Sequence, residues 1–333
     1  MSEIMLSVIM PIYNPGNFLL ESLGSVLKQS YKNIEIICVN DGSTDDSLAL
    51  LKQYQANDDR IKIIDKSNSG YGNTMNYGLK SARGKYIAIL EPDDFIDELM
   101  YEDLLNIAIE NDADVVKSNY FEYTTKNNKS NFFEVLESKP YGKITSAYEN
   151  DWIMYMRPCI WSAIYRRSML VENNIVFNET PGASYQDTAF AFKIWTVAKR
   201  VVFTKNAYLH YRTDNENSSV KSSGKIFSIC DEFQSIQAFL NTNIEYRDKF
   251  SKILQVLKLD SYNWNLGRIS DEFKPIFRNQ MALEFIKADY DGFLDKGYFD
   301  SDRWNDLNRL MNDYRVNKSN NSSIINTLKF WKK

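Results

Sequence analysis

YIAILEPDDF, residues 86–95, sets a strand-like apolar run directly against Glu91, Asp93 and Asp94. Tyr86 to Leu90 has the length and apolarity of a strand buried on both faces, as in a parallel sheet. Three acids at its carboxyl end need an answer, because burying one unpaired carboxylate costs several kcal/mol by order of magnitude. In open parallel sheets ligands bind beyond the carboxyl ends of the strands. An acid-x-acid step there offers hard oxygens suited to Mg²⁺ or Mn²⁺ shared with substrate phosphates. A solvated acidic loop is the plainer alternative.

Outward from this strand the period of the apolar residues keeps switching, which predicts parallel βαβ units over residues 5–123. Strands are expected at 6–13, 34–39, 61–65, 86–90 and 115–123. Phe18, Leu19, Leu23, Val26 and Leu27 recur at helical spacing, and further helices are expected up to about 55, over 73–83 and over 98–111. Ser43 with Asp46 reads as a capping box and Gly84 as a left-handed cap. Residues 124–147 are weakly patterned, a loop or a pair of edge strands. Helices at 148–155 and 187–199 and a strand at 200–204 follow. Long helical patterns without strand signals begin after SSVKSSGK (218–225), so the chain divides into 1–224 and 225–333.

The 333 residues are 44% hydrophobic with a net charge of −4, which argues against disorder and gives no basic excess for binding nucleic acid. Cys38, Cys159 and Cys230 are odd in number and set apart, as reduced core thiols of a cytoplasmic protein would be. The start MSEIMLSVIMP lacks the basic region and apolar length of a signal peptide, and no run reaches the ~20 apolar residues of a membrane span. A soluble protein is expected. Ile324, Ile325, Leu328, Phe330 and Trp331, with Lys329, Lys332 and Lys333, would suit a peripheral contact at the inner face of a membrane. A terminal helix packed on its own domain, or on a sister subunit in a homo-oligomer, is the blander account.

Two other strand ends are polar in the same way: Pro11, Tyr13 and Asn14 after the first, Asn40-Asp41-Gly42-Ser43 after the second. Asp41 also suits a helix cap. Later, Asp187 opens a helical pattern and is either a cap or a chemical group. His210, the only histidine, makes a Ser-His-Asp mechanism depend on one residue, and no G-x-S-x-G accompanies it. A structural histidine is equally consistent. Trp152, Trp161 and Trp195 read as core, with Trp161 the best placed to stack on a sugar.

VIMPIYN, IICVNDGSTDDS, NSGYGNTMNYGLKSARGKYIAILEPDDF, SYQDTAF and LHYRTDNENSS, in that order, resemble the inverting family 2 glycosyltransferases over residues 5 to about 220. The resemblance implies a GT-A fold: an α/β, Rossmann-like, mostly parallel sheet flanked by helices, here with a helical C-terminal extension for acceptor recognition or oligomerisation. It implies a nucleotide-sugar donor, a UDP-sugar by preference, a glycan or glycosylated-protein acceptor, and Mn²⁺ or Mg²⁺ as cofactor. Pro11, Tyr13, Asn14, Asp41 and Asn68 would line the nucleotide site. Glu91 and Asp94 would complete the nucleotide-sugar site, Asp93 would bind the metal, and His210 would be a third ligand or a diphosphate contact. Asp187 would be the general base. Glu91, Met75 and Gln186 stand where relatives carry Asp, Arg and Glu. These departures leave a catalytically inert nucleotide-sugar-binding protein as the rival reading. PIYNPGN in place of G-x-G-x-x-G disfavours a dinucleotide oxidoreductase.

Overall fold

The computed structural model describes residues 4–136, 139–215 and 226–319. The chain packs as two compact units, Met1–Lys221 and Ser222–Lys333. The apolar tail residues from Ile324 onward, and the 224/225 boundary expected from the sequence, lie outside the described residues.

Strands β1 (Leu6–Ile12) and β2 (Ile34–Asp41) are buried at every position, the mark of a sheet covered on both faces. With β3 (Ile61–Lys66) and β4 (Tyr86–Ile89) they form a parallel block ordered β3-β2-β1-β4, with Leu6 opposite both Ile34 and Tyr86. Helices α1 (Phe18–Leu27), α2 (Ser47–Gln55) and α3 (Tyr71–Ser81) make the crossovers. One buried acid inside this block is fully paired. Burial alone would raise the Glu35 carboxyl, but Lys62, Ser7 and the Arg83 amide, each at 2.7 Å, hold it below its ordinary value.

After β5 (Phe95–Ile96) and α4 (Met100–Glu110) comes β6 (Val115–Thr124), followed by the short edge strands β7 (Lys129–Phe133) and β8 (Ile144–Thr145). β9 (Ala163–Arg166) then inserts antiparallel between β4 and β6. Helices α5 (Arg167–Glu172) and α6 (Gln186–Val197) lead to β10 (Val201–Arg212), which pairs parallel with β6. Among the described residues the sheet has ten strands, and its longest pairings are parallel.

Several local expectations are corrected. Residues 151–155 form a 3-10 turn rather than a helix. The Ser43–Asp46 capping box does not form; instead the Asp45 carboxylate accepts the Ser47 amide at 3.1 Å ahead of α2. Gly84 is not left-handed. A Cβ there would stand 2.5 Å from the Ser7 amide, so close strand approach excludes a side chain.

The second unit is helical in its described residues: α7 (Ser228–Leu240), α8 (Ile244–Arg268), α9 (Lys274–Tyr290) and α10 (Ser301–Ser319). Phe233, Tyr262, Phe277 and Phe285 build its core around a Lys258–Glu284 pair at 2.5 Å. No helix among the described residues is long and apolar enough to cross a membrane.

Candidate active site

The loops after β1, β2 and β3 are tied together. Asn14, in a left-handed conformation at φ 47°, accepts the Thr44 amide at 2.7 Å and donates its own amide to Ser43 Oγ at 3.1 Å. Pro11 is buried, Tyr13 is 54% exposed and Asn68 is exposed. Asp41 is buried and ion-paired with Lys66, and it accepts the amides of Ser69 at 2.9 Å and Gly70 at 3.0 Å. It therefore does not cap α2. It anchors the loop that delivers the chain to α3.

Glu91, Asp93 and Asp94 stand together at the end of β4. Asp94 is 1% exposed; Oδ1 accepts the Arg212 amide at 2.8 Å, and Oδ2 is buried with no hydrogen-bond partner among the described residues. Asp93 accepts from Asn215 at 2.8 Å, and Glu91 Oε1 accepts the Tyr71 hydroxyl at 2.6 Å. Burial pushes the Glu91 carboxyl up to about 8; the Tyr71 bond opposes this, while nearby Asp93 and Asp187 add to it. Burial and Asp93 likewise hold Asp94 well above the carboxylate range. Unlike Glu35, these groups lack a full countercharge.

Arg212 does not supply it. Its guanidinium turns to Glu21 at 2.5 Å and to Thr125, between the rings of Phe18 (4.5 Å) and Tyr123 (4.9 Å), while its Nε holds the Asp93 carbonyl at 2.8 Å. Arg212 shapes the acidic loop more than it neutralises it. The orphaned Asp94 oxygen and the mutually repelling carboxylates fit a divalent cation at Asp93. Among the described residues no three His, Cys, Asp or Glu side chains converge as a closed cage. That suits an ion which draws its remaining oxygens from phosphate and water.

His210 is not a third ligand. Its ring is stacked between Phe95 (4.4 Å) and Phe121 (4.8 Å), with Nδ1 2.9 Å from Ser130 Oγ and Nε2 3.2 Å from Asp97. His210 and Arg212 share one face of β10, where both meet Phe95 and Tyr123, while Tyr211 projects from the other face. Trp161, 9% exposed, is sealed by Tyr120 edge-on and by Tyr211, whose ring stacks on it at 5.1 Å. Tyr211 is the ring that stands near the acids; burial, Asp94 and Asp93 push its hydroxyl up to about 12. Trp152 and Trp195 pack against Phe203.

Asp187 lies half-buried in the first turn of α6, behind Tyr185, which takes the cap position at φ 63°. It is therefore not the cap. Burial raises its carboxyl to about 6; hydrogen bonds at Thr188 and the charge of Arg157 hold it back from rising further. Its electrostatic neighbours include Glu91, Tyr71 and Cys159, so the segment after residue 177 is brought to the end of β4.

Gln186 explains its own departure. It is 2% exposed, and its Nε2 donates to Thr180 Oγ1 at 2.8 Å and to the Gly182 carbonyl at 3.0 Å, while Oε1 accepts the Ser184 amide. A carboxylate could not donate. Residues 177–182 lie on α3 through Asn76, Asn73 and Glu179, and a Cβ on Gly72 would fall 1.8 Å from the Asn178 carbonyl. Met75, fully buried on α3, faces the core and not a diphosphate. Tyr71, Arg157, Tyr211 and Arg212 are the site residues that sequence reasoning missed; the end of a strand running into HYR was the available signal for two of them.

The raised acids have a measurable consequence. Glu91 and Asp187 bind protons more tightly in the fold than in the unfolded chain, so their stabilising contribution is full below about pH 4. It is lost as pH rises through about 6 for Asp187 and about 8 for Glu91. A cation at Asp93 would relieve the ionised forms. Mn²⁺ is therefore expected to raise the Tm more at pH 8 than at pH 6, as calorimetry would read; an equal effect at both would remove the cation from this cluster.

The profile of Glycosyl transferase family 2 matches residues 7–172. Glycosyltransferase GlyG of Streptococcus pneumoniae serotype 4 is 33% identical over 219 residues, covering 64% of this chain and 72% of that protein. Glycosyltransferase YibD of Escherichia coli K12 is 29% identical over 295 residues, covering 85% and 78%. In fold, the chain is similar to S. aureus TarS 1–349 solved in complex with UDP-GlcNAc, with a TM-score of 0.72 at 23% identity over 94% of this chain and 92% of that one. The α/β sheet with its strand-end acids, and the extent of the match to GlyG, make this chain a GT-A glycosyltransferase belonging to Glycosyl transferase family 2.

Proposed function

We propose that the chain transfers a sugar from a UDP-sugar to a hydroxyl of a glycan or glycosylated-protein acceptor, with inversion. The observation that carries this reading is Asp187, a carboxyl tuned by burial to about 6 and set beside the acids at the end of β4. A base of that kind is ionised at neutral pH yet still takes a proton readily. Asp187 removes the acceptor proton as the acceptor oxygen bonds to the anomeric carbon. The bond from that carbon to the diphosphate breaks with its electron pair leaving on the diphosphate oxygen. A single displacement inverts the anomeric centre.

Pro11 near the end of β1, Tyr13 and Asn14 just after it, Asp41 closing β2 and Asn68 just after β3 would receive the nucleotide. Asp93 would hold Mn²⁺ or Mg²⁺, which when bound neutralises charge on the leaving diphosphate. TarS, crystallised with UDP-GlcNAc, supports the choice of UDP and makes that sugar the first to try. The helical unit would serve acceptor recognition or oligomerisation. The thiols of Cys38, Cys159 and Cys230 suit a reducing, cytoplasmic setting.

A panel of nucleotide sugars, scored for nucleotide release with and without Mn²⁺, tests the reading. UDP-sugars are expected to turn over and other nucleotides to lag, with NMR showing a product anomer opposite to the donor's. Retention of configuration would overturn the single displacement.

A further inference from the structure

The contact between Tyr71 and Glu91 takes its meaning from the transferase reading above. Glu91 is one methylene longer than aspartate, and a long acid at a strand end has rotamers to lose before it is useful. Tyr71 removes that freedom: its hydroxyl donates to Glu91 Oε1 at 2.6 Å, a short bond to a carboxyl. Burial and the surrounding acids hold the phenol well above its ordinary range, so it stays a donor.

Tyr71 is itself fixed by the segment that leads into α6. Its amide donates to the Gly182 carbonyl at 3.1 Å, and its ring meets Phe177 edge-on at 5.8 Å. On either side, Gly70 and Gly72 leave no room for a Cβ against Gly182 and Asn178. The backbone that sets Tyr71 is thus bound to the segment that sets Asp187, and its side chain reaches the acid of β4.

We propose that Tyr71 is a positioning residue for transfer: its hydroxyl pins Oε1 of Glu91 and presents Oε2 to the donor sugar, in register with the segment carrying Asp187. An Asp at position 91 is too short to reach the phenol, so its position does not depend on it.

The test is a double-mutant cycle of Tyr71→Phe and Glu91→Asp in the full chain, with kcat, donor KM and Tm read for each. Tyr71→Phe keeps the ring against Phe177. It is expected to lower kcat about tenfold, the scale of one lost hydrogen bond, with donor KM changed less than about twofold. In the Glu91→Asp background the same substitution is expected to cost less than about twofold in kcat. Three results would overturn the proposal: unchanged kcat in Tyr71→Phe, an equal kcat loss in both backgrounds, or a Tyr71→Phe chain that does not fold. A wild-type chain inactive with every UDP-sugar is a separate result, and it would overturn the transferase reading itself.

Discussion

Asp187→Asn is expected to leave UDP binding nearly intact while transfer falls by ~10²-fold or more, the scale of losing a general base. Asparagine keeps the size of the side chain and can still accept hydrogen bonds in the first turn of α6, so the fold should survive. An amide cannot take the acceptor proton. The wild-type kcat should rise with pH through about 6, since burial raises the Asp187 carboxyl to that value and only the ionised form is a base. Removing the carboxyl should flatten that limb. Stopped assays of UDP release, with calorimetry for binding, read both effects. A fully active Asn variant would sink the assignment of Asp187 even if the nucleotide site were right.

The second large effect belongs to Asp93→Ala. Without this carboxylate a cation at the end of β4 would lose its protein anchor, and the leaving diphosphate would lose the charge that neutralises it. A bound cation supplies several kcal/mol of charge stabilisation, and each ~1.4 kcal/mol is tenfold in rate. Transfer is expected to fall by ~10²-fold or more, and UDP affinity in Mn²⁺ to drop to the level seen in EDTA. Titration calorimetry in both buffers decides it. Equal affinity of the wild type with and without chelator would take the cation out of the mechanism.

How much of this was legible in the sequence follows from which contacts are local. The parallel block was readable because β1 to β4 and their helices alternate period in short segments, each apolar on the face it buries. The acids at residues 91–94 declared themselves by standing at a strand end. β9 was not readable: Ala163–Arg166 is four residues long, between a 3-10 turn at Ile160–Ser162 and α5, and its strand character comes from partners far along the chain. His210 was misplaced because β10 runs eight residues past the expected end at Thr204, with irregular register at Thr204 and Ala207, and so carries the imidazole between Phe95 and Phe121. Gln186 looked like a loss of function because its role is to donate hydrogen bonds to Thr180 and Gly182, which lie close only once the loop has folded.

The antiparallel insertion of β9 also sets the order in which the sheet can be completed during synthesis. β4 ends at Ile89, and β9, its partner on the outer side, begins at Ala163. A ribosome adding ~5–20 residues per second needs on the order of 4–15 s to cover that interval of roughly 75 residues. Until then one edge of β4 is an unpaired row of amides and carbonyls on an apolar strand, a template for pairing with another nascent chain. β6 and β10 have no path to the first block until β9 joins them. A chain cut before residue 163 would keep that edge open for its lifetime, and its fate would be aggregation rather than a smaller working domain.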